Sequence, residues 1–199
     1  MTQGYHFAEV AGAGADAPTL FLFHGTGGDE TQFLALGAEL RPGARLVAPR
    51  GDVSEQGALR YFKRTGEGRY DMADLARATE KMAGFVSGMA GPGASLALGY
   101  SNGANIIASV LFAHPDSFAA AVLAHPLIPF EPAPQPGLAG KRILITAGRR
   151  DPICPVPQTQ ALADWLKGQG ATVTLFWHDG GHELRQEELL AMREFFAVA

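Results

Sequence analysis

Gly99-Tyr100-Ser101-Asn102-Gly103 is the stretch that decides how the rest of the chain is read. Ser95, Leu96, Ala97 and Leu98 lead into it, and Ile106, Ile107, Val110, Leu111 and His114 follow at helical spacing. The pattern predicts a buried strand that runs straight into a helix, with a serine at the corner. So sharp a turn needs tiny residues beside the serine, and Gly99 and Gly103 meet that need, with Ala104 keeping helix close to strand. Ser101 is then expected at the carboxyl end of a sheet, with the Asn102 N–H beside it at a helix N-terminus. The competing reading is a glycine-rich turn holding an ordinary serine. The flanking sequence decides between the two.

Upstream, residues 4–10 alternate as a short strand, and residues 19–24 form a continuous apolar run of the kind buried on both faces. A helix is expected over about residues 30–40, stopped by Arg41-Pro42-Gly43, and Leu46-Val47-Ala48 reads as the next strand. Residues 52–70 lack clean periodicity and read as a long loop, which in a small domain is usually functional. Asp71 caps a helix that runs to about Met89. Downstream, residues 119–124, 142–147 and 172–177 read as strands, and residues 156–167 and 184–196 as helices. Strands alternating with helices predict an α/β fold, a mostly parallel central sheet with helices on both faces. Residues 1–199 are expected to form a single compact domain, with no repeat and no insertion large enough for a lid.

The composition narrows the class. Hydrophobic residues make up 47% of the chain, which excludes a disordered one. A net charge of −4 offers no global field for nucleic acid or an anionic membrane. The single cysteine, Cys154, allows no intramolecular disulfide and suits a reducing compartment. The first six residues show neither a basic nor an apolar leader region, and no apolar run approaches the roughly 20 residues of a membrane span. The expectation is a cytoplasmic protein; monomer and homodimer both remain open.

A serine needs a base, and the base needs a carboxylate to hold its tautomer. In a parallel sheet these belong on loops at the carboxyl ends of strands. Asp151 and His182 each follow a predicted strand by a few residues, and the order Ser101, Asp151, His182 is that of the nucleophile-elbow hydrolases. His6, His24, His114, His125 and His178 are rivals for the base, and His24 is better suited to bracing a loop. Asp179 rivals Asp151, although a turn-forming role before Gly180 also explains it. An oxyanion hole is expected from the backbone N–H groups of Asn102 and of Thr26, in the glycine-rich loop after residues 19–24.

Together these motifs resemble the α/β-hydrolase superfamily, and within it the small carboxylesterase/phospholipase branch that includes acyl-protein thioesterases. That branch has Leu-His-Gly-x-Gly-Asp at its oxyanion loop, where this chain reads Phe23-His24-Gly25-Thr26-Gly27-Gly28-Asp29. The Tyr-Ser-Asn-Gly-Ala-Asn run, Leu111-Phe112-Ala113-His114-Pro115, residues 124–129 and Arg60-Tyr61-Phe62-Lys63-Arg64 look closest to bacterial hydrolases associated with hydroquinone and catechol resistance. Dienelactone hydrolases share the fold but carry cysteine at the elbow, and Ser101 argues against that chemistry. The resemblance implies a serine carboxylesterase with Ser101, Asp151 and His182 as triad, Thr26 and Asn102 at the oxyanion hole, and neither metal nor organic cofactor. Its implied substrate is a small ester or thioester.

Tyr61, Phe62, Leu127, Ile128, Phe130 and Ile153 are the candidates for an apolar substrate pocket, because they fall on loops at the catalytic end of the sheet. Adjacent residues of an extended loop point opposite ways, so one of Tyr61 and Phe62 is expected to face the site. Arg60, Lys63, Arg64 and Arg69 either face an anionic substrate or form a solvated loop. Arg149 and Arg150 stand beside Asp151 in the sequence and either depress its pKa or lie exposed at the surface. Cys154 reads as small apolar filler near the site. Two other functions fit the same fold: a ligand-binding or sensor protein with little turnover, and an amide or peptide hydrolase.

Overall fold

The computed structural model describes residues 4–198. Residues 1–3, part of the stretch read for a leader, and residue 199 lie outside the described residues. In chain order the elements are β1 (Phe7–Val10), β2 (Thr19–Phe23), α1 (Leu34–Leu40), β3 (Arg45–Pro49), β4 (Val53–Glu55), β5 (Ala58–Arg60), β6 (Arg64–Gly66) and β7 (Arg69–Tyr70). There follow α2 (Met72–Met89), β8 (Ser95–Tyr100), α3 (Asn102–Ala113), β9 (Ala120–Ala124), β10 (Arg142–Gly148), α4 (Val156–Gly168), β11 (Thr172–His178) and α5 (Gln186–Ala197).

Seven strands form one sheet in the order β1-β3-β2-β8-β9-β10-β11. All neighbours are parallel except β1, which runs antiparallel to β3 at one edge. The central strands β2, β8, β9 and β10 are mainly apolar and buried because helices cover both faces. Phe21, Phe23 and Ala97 point into a core shared with α2, α3 and α4. Leu20, Leu22, Leu96 and Leu98 point the other way, into a core closed by Phe33 and Leu40 and by Met192 and Phe196 of α5. Among the described residues, no helix is long and apolar enough to cross a membrane.

Two expectations need correction. The helix read from residue 30 begins at Leu34. Asp29 accepts from the N–H and hydroxyl of Thr31 at 2.8 and 2.6 Å, a local turn that competes with helix at this point. Residues 52–70 are not a plain loop but two small antiparallel ribbons, β4–β5 and β6–β7. Gln56 and Gly57, both with positive φ (51° and 89°), make the two-residue turn of the first. Strands of two or three residues are too short to show an alternating pattern.

Candidate active site

The elbow owes its shape to contacts that only glycine allows. A Cβ on Gly99 would lie 2.5 Å from the Gly103 carbonyl carbon, and one on Gly103 would collide with the Phe23 and His24 carbonyls. Between them Ser101 adopts φ 52°, ψ −114°, a conformation worth about 1–3 kcal/mol of strain. Its N–H donates to the Ala124 carbonyl at 2.8 Å, tying the corner to the neighbouring strand β9.

Ser101 Oγ lies 2.9 Å from His182 Nε2, and His182 Nδ1 lies 2.7 Å from Asp151 Oδ2. The carboxylate can only accept, so Nδ1 carries the proton and the Nε2 lone pair faces the serine. The loops that carry Asp151 and His182 pack tightly: a Cβ on Gly148 would lie 2.6 Å from the Gly180 carbonyl oxygen and would overlap that of Gly181. Tyr100, next to the serine, donates its hydroxyl to the His182 carbonyl at 2.5 Å. Both devices hold the imidazole over the elbow.

Asp151 is buried and accepts four hydrogen bonds. Oδ1 takes the N–H groups of Ile153 and Cys154 at 2.8 and 2.9 Å, and Oδ2 takes His182 and also His125 Nδ1 at 2.9 Å. Burial pushes its pKa up, but the two imidazoles and two N–H groups outweigh that and hold it well below the usual carboxylate range. Behind it lies a second, fully buried cluster. His125 Nε2 is 3.0 Å from Glu188 Oε1, and His178 Nε2 is 3.1 Å from Glu188 Oε2. With a carboxylate on each nitrogen, His125 is an imidazolium. Desolvation lowers its pKa, but the bonds to Asp151 and Glu188 prevail and lift it to about 9. His125 itself has φ 51°, a backbone strain that aims the ring into this cluster.

His125, His178 and Glu188 are close enough together to suggest a metal site. The tautomers argue otherwise. His178 Nδ1 accepts the Gly180 N–H at 2.9 Å, so its Nε2 carries the proton and donates to Glu188. That leaves no lone pair on Nε2 for a cation. Likewise His182 Nδ1 is needed as a donor to Asp151.

Thr26 and Asn102 line the same cleft as Ser101 and His182, as an oxyanion hole requires. Asn102 is the first residue of α3, where N–H groups have no intrahelical acceptor. The Thr26 loop is braced from several sides. His24 Nε2 accepts the Gly51 N–H at 2.8 Å and Nδ1 donates to the Gly25 carbonyl at 2.7 Å, so this buried ring braces the loop, and burial lowers its pKa. Gly27 N–H donates to Leu59 O at 3.0 Å, and Arg60 Nη1 donates to Thr26 Oγ1 at 2.8 Å.

The cleft measures about 340 Å³ and is also lined by Arg60, Arg64, Tyr70, Asn105, Leu127, Ile153 and Cys154. Leu127 and Ile153 therefore lie where the sequence puts them. Tyr61 and Phe62 do not: both are fully buried in the core. The chain bends at these two residues instead of running extended, so alternation fails and both rings turn inward. The Tyr61 hydroxyl donates to Pro49 O at 2.9 Å and accepts the His24 N–H at 3.1 Å, while its own N–H donates to Asn102 Oδ1 at 2.8 Å. Phe62 packs edge-on against Tyr70, 4.8 Å between centroids, and Tyr70 takes the position on the cleft wall. Ile128 and Phe130 line a different hollow, with Trp165.

Arg149 and Arg150 do not set the Asp151 pKa. Arg149 pairs with the exposed carboxylate of Asp179 at 3.6 Å, and Arg150 donates to the Asp179 carbonyl at 2.7 Å. Asp179 is thus occupied away from His182. Cys154 Sγ sits 3.2 Å from the His125 carbonyl and 3.9 Å from His182 Nδ1, and burial first, then Asp151, pushes its thiol pKa up, so it is inert filler. Sequence reasoning missed Tyr70 and Asn105 on the cleft wall, Glu188, and the structural use of His125 and His178. His125 follows a strand at the catalytic end of the sheet, which was a usable signal; Glu188, inside a helix of ordinary polarity, offered none.

The profile of the dienelactone hydrolase family matches residues 72–187. MhqD of Bacillus subtilis (strain 168) is 40% identical over 191 residues, spanning 94% of this chain and 96% of its own. Among solved structures, one of an Agrobacterium tumefaciens protein is 53% identical with a TM-score of 0.91, over 100% of this chain and 98% of that one. A Bacillus cereus carboxylesterase is 35% identical with a TM-score of 0.90, over 98% and 94% of the two chains.

Proposed function

The chain belongs to the dienelactone hydrolase family of α/β-hydrolases, and from that premise we propose that it is a serine carboxylesterase acting on small esters or thioesters. The observation that carries the reading is the unbroken hydrogen-bonded chain from Ser101 through His182 to Asp151, at 2.9 and 2.7 Å. Ser101 Oγ attacks the carbonyl carbon as His182 Nε2 takes its proton. The developing oxyanion is met by the N–H groups of Asn102 and Thr26. The tetrahedral intermediate collapses, His182 protonates the leaving group, and an acyl-enzyme remains on Ser101. Water, deprotonated by His182, then releases the acid and restores the serine.

A cleft of about 340 Å³ suits a short acyl or aryl ester better than a lipid or peptide. The 35% identity to the Bacillus cereus carboxylesterase supports ester over amide hydrolysis. The test is a panel of 4-nitrophenyl esters of increasing acyl length, assayed with the native protein and with Ser101→Ala. Short esters should turn over, long ones poorly, and the variant not above background. Equal hydrolysis by both proteins would refute the reading.

A further inference from the structure

Asp151 Oδ2 is shared by two imidazoles. His182 Nδ1 reaches it at 2.7 Å and His125 Nδ1 at 2.9 Å, with the two rings edge to face and 5.2 Å between centroids. The chemistry of a triad needs only the first of these bonds. The second comes from His125, just past the end of β9, whose side chain is wholly buried. Its backbone is fixed on both sides: its N–H donates to Thr146 O at 2.8 Å, and its carbonyl accepts Cys154 Sγ at 3.2 Å.

Glu188 stands on the far side of the His125 ring. Its Oε1 accepts His125 Nε2 at 3.0 Å, and its Oε2 accepts His178 Nε2 at 3.1 Å and the Arg185 N–H at 2.8 Å. Each of these partners is a donor, so the carboxylate keeps its negative charge in the interior. A hydrogen-bonded line therefore runs from α5 to the elbow: Glu188, His125, Asp151, His182, Ser101. Well-packed apolar side chains of similar volume would often serve stability as well as a buried ion pair does. They could not donate to Asp151. Its Oδ2 would then be held by His182 alone, the partly exposed ring that must pass protons during turnover.

We propose that His125, kept charged by Glu188, is a positioning residue of the catalytic centre: its hydrogen bond to Asp151 Oδ2 holds the carboxylate in line with His182, and that alignment is lost when His125 gives up its proton. This deepens the esterase reading above and rests on it. A neutral His125 carries a lone pair on one nitrogen, which would face Asp151 or Glu188 with no proton to share. In the first case Asp151 is repelled from its place beside His182. In the second the ring loses its hold on α5, and with it the support it gives Asp151. The titratable groups that face His125 are Asp151 and Cys154 from the loop after β10, Glu188 from α5, His178 from β11, His182 from the loop that follows, and Tyr100 from β8. Burial and then Asp151 push Tyr100 up to about 12 and move Cys154 in the same direction. His125 stands lower, at about 9, because burial pulls it down while the bonds to Asp151 and Glu188 lift it.

The experiment is the dependence of kcat and KM on pH, from neutral to about pH 10, with a short 4-nitrophenyl ester and Ser101→Ala as the blank. The native enzyme should show a basic limb near pH 9, with kcat falling about tenfold to a hundredfold while KM holds, as expected for a displaced catalytic group. The fall should reverse on return to neutral pH and leave the tryptophan emission unchanged, which separates it from unfolding. Glu188→Gln removes one of the two charges that keep the proton on His125, so the limb should move down by about one pH unit or more. His125→Asn, combined with Glu188→Gln where the single variant does not fold, should have the lower kcat already at neutral pH and no limb near pH 9. NMR of isotope-labelled histidines in the native protein without substrate gives a readout independent of turnover. There the downfield proton of the His182–Asp151 hydrogen bond should shift in the same step in which His125 loses its proton. If no ester is hydrolysed, the esterase reading fails while the NMR titration still decides whether His125 controls that bond. A native kcat that stays level to about pH 10, a limb at the same pH in both variants, or a His182–Asp151 resonance indifferent to the protonation of His125 would overturn the proposal.

Discussion

His125 makes stability depend on pH in a way that one substitution should remove. Its imidazolium lies between Asp151 and Glu188, both depressed carboxylates, and its pKa is lifted from the ordinary 6.5 to about 9. The folded protein therefore holds a proton that the unfolded chain releases above pH 6.5. The stabilisation is complete below that pH and is lost as pH rises through about 9. Its size is roughly 3 kcal/mol, at about 1.36 kcal/mol per pH unit. The side chain is fully buried, so solvent does not screen this. The substitution to use is His125→Asn, because asparagine tolerates the positive φ of 51° at this position. It should cost about 3–5 kcal/mol, since Glu188 is left buried with a missing partner. His125→Asn with Glu188→Gln should recover part of that cost. The assay is urea unfolding followed by tryptophan fluorescence at intervals from pH 6 to 9. Subtracting the variant from the native protein cancels other titrating groups, including Cys154. The difference should shrink by roughly 3 kcal/mol across that range. A difference that stays constant with pH would refute a protonated His125.

Three further outcomes follow from the geometry. Asp151→Asn should lower kcat by about four orders of magnitude, by reversing the His182 tautomer, whereas Asp179→Asn, which loses only an exposed pair with Arg149, should change it less than about threefold; steady-state kinetics on both variants ranks them. Gly148→Ala should force the Asp151 and His182 loops apart and lower kcat by about a hundredfold, with the fold retained by circular dichroism. Tyr61→Ala should cost about 3–5 kcal/mol in chemical unfolding, as expected of a core aromatic, and should not discriminate between small and bulky esters in KM.

The parts of this protein legible in the sequence are those where backbone chemistry and residue type coincide. Gly99 and Gly103 are glycines because a Cβ would strike backbone, and that demand is written in the motif itself. The apolar runs of β2, β8, β9 and β10 reveal a sheet covered on both faces for a similar reason. Tyr61 and Phe62 misled because two adjacent aromatics on a polar segment look like a pocket wall. Both follow a bend; Tyr61 is then held by hydrogen bonds to Pro49, His24 and Asn102, and Phe62 by packing against Tyr70, contacts made with other parts of the chain. Glu188, in α5, was invisible for the same reason: its partners are His125, just past the end of β9, and His178, the last residue of β11. Buried polar networks are tertiary facts, and local pattern does not encode them.

The proposed chemistry stands on Ser101 as a nucleophile activated by His182. Incubation with a fluorophosphonate, followed by intact-protein mass spectrometry and peptide mapping, tests it most directly. One adduct per chain is expected, on Ser101, forming much more slowly in His182→Ala and absent in Ser101→Ala. Labelling at another residue, or an undiminished adduct in Ser101→Ala, would contradict it.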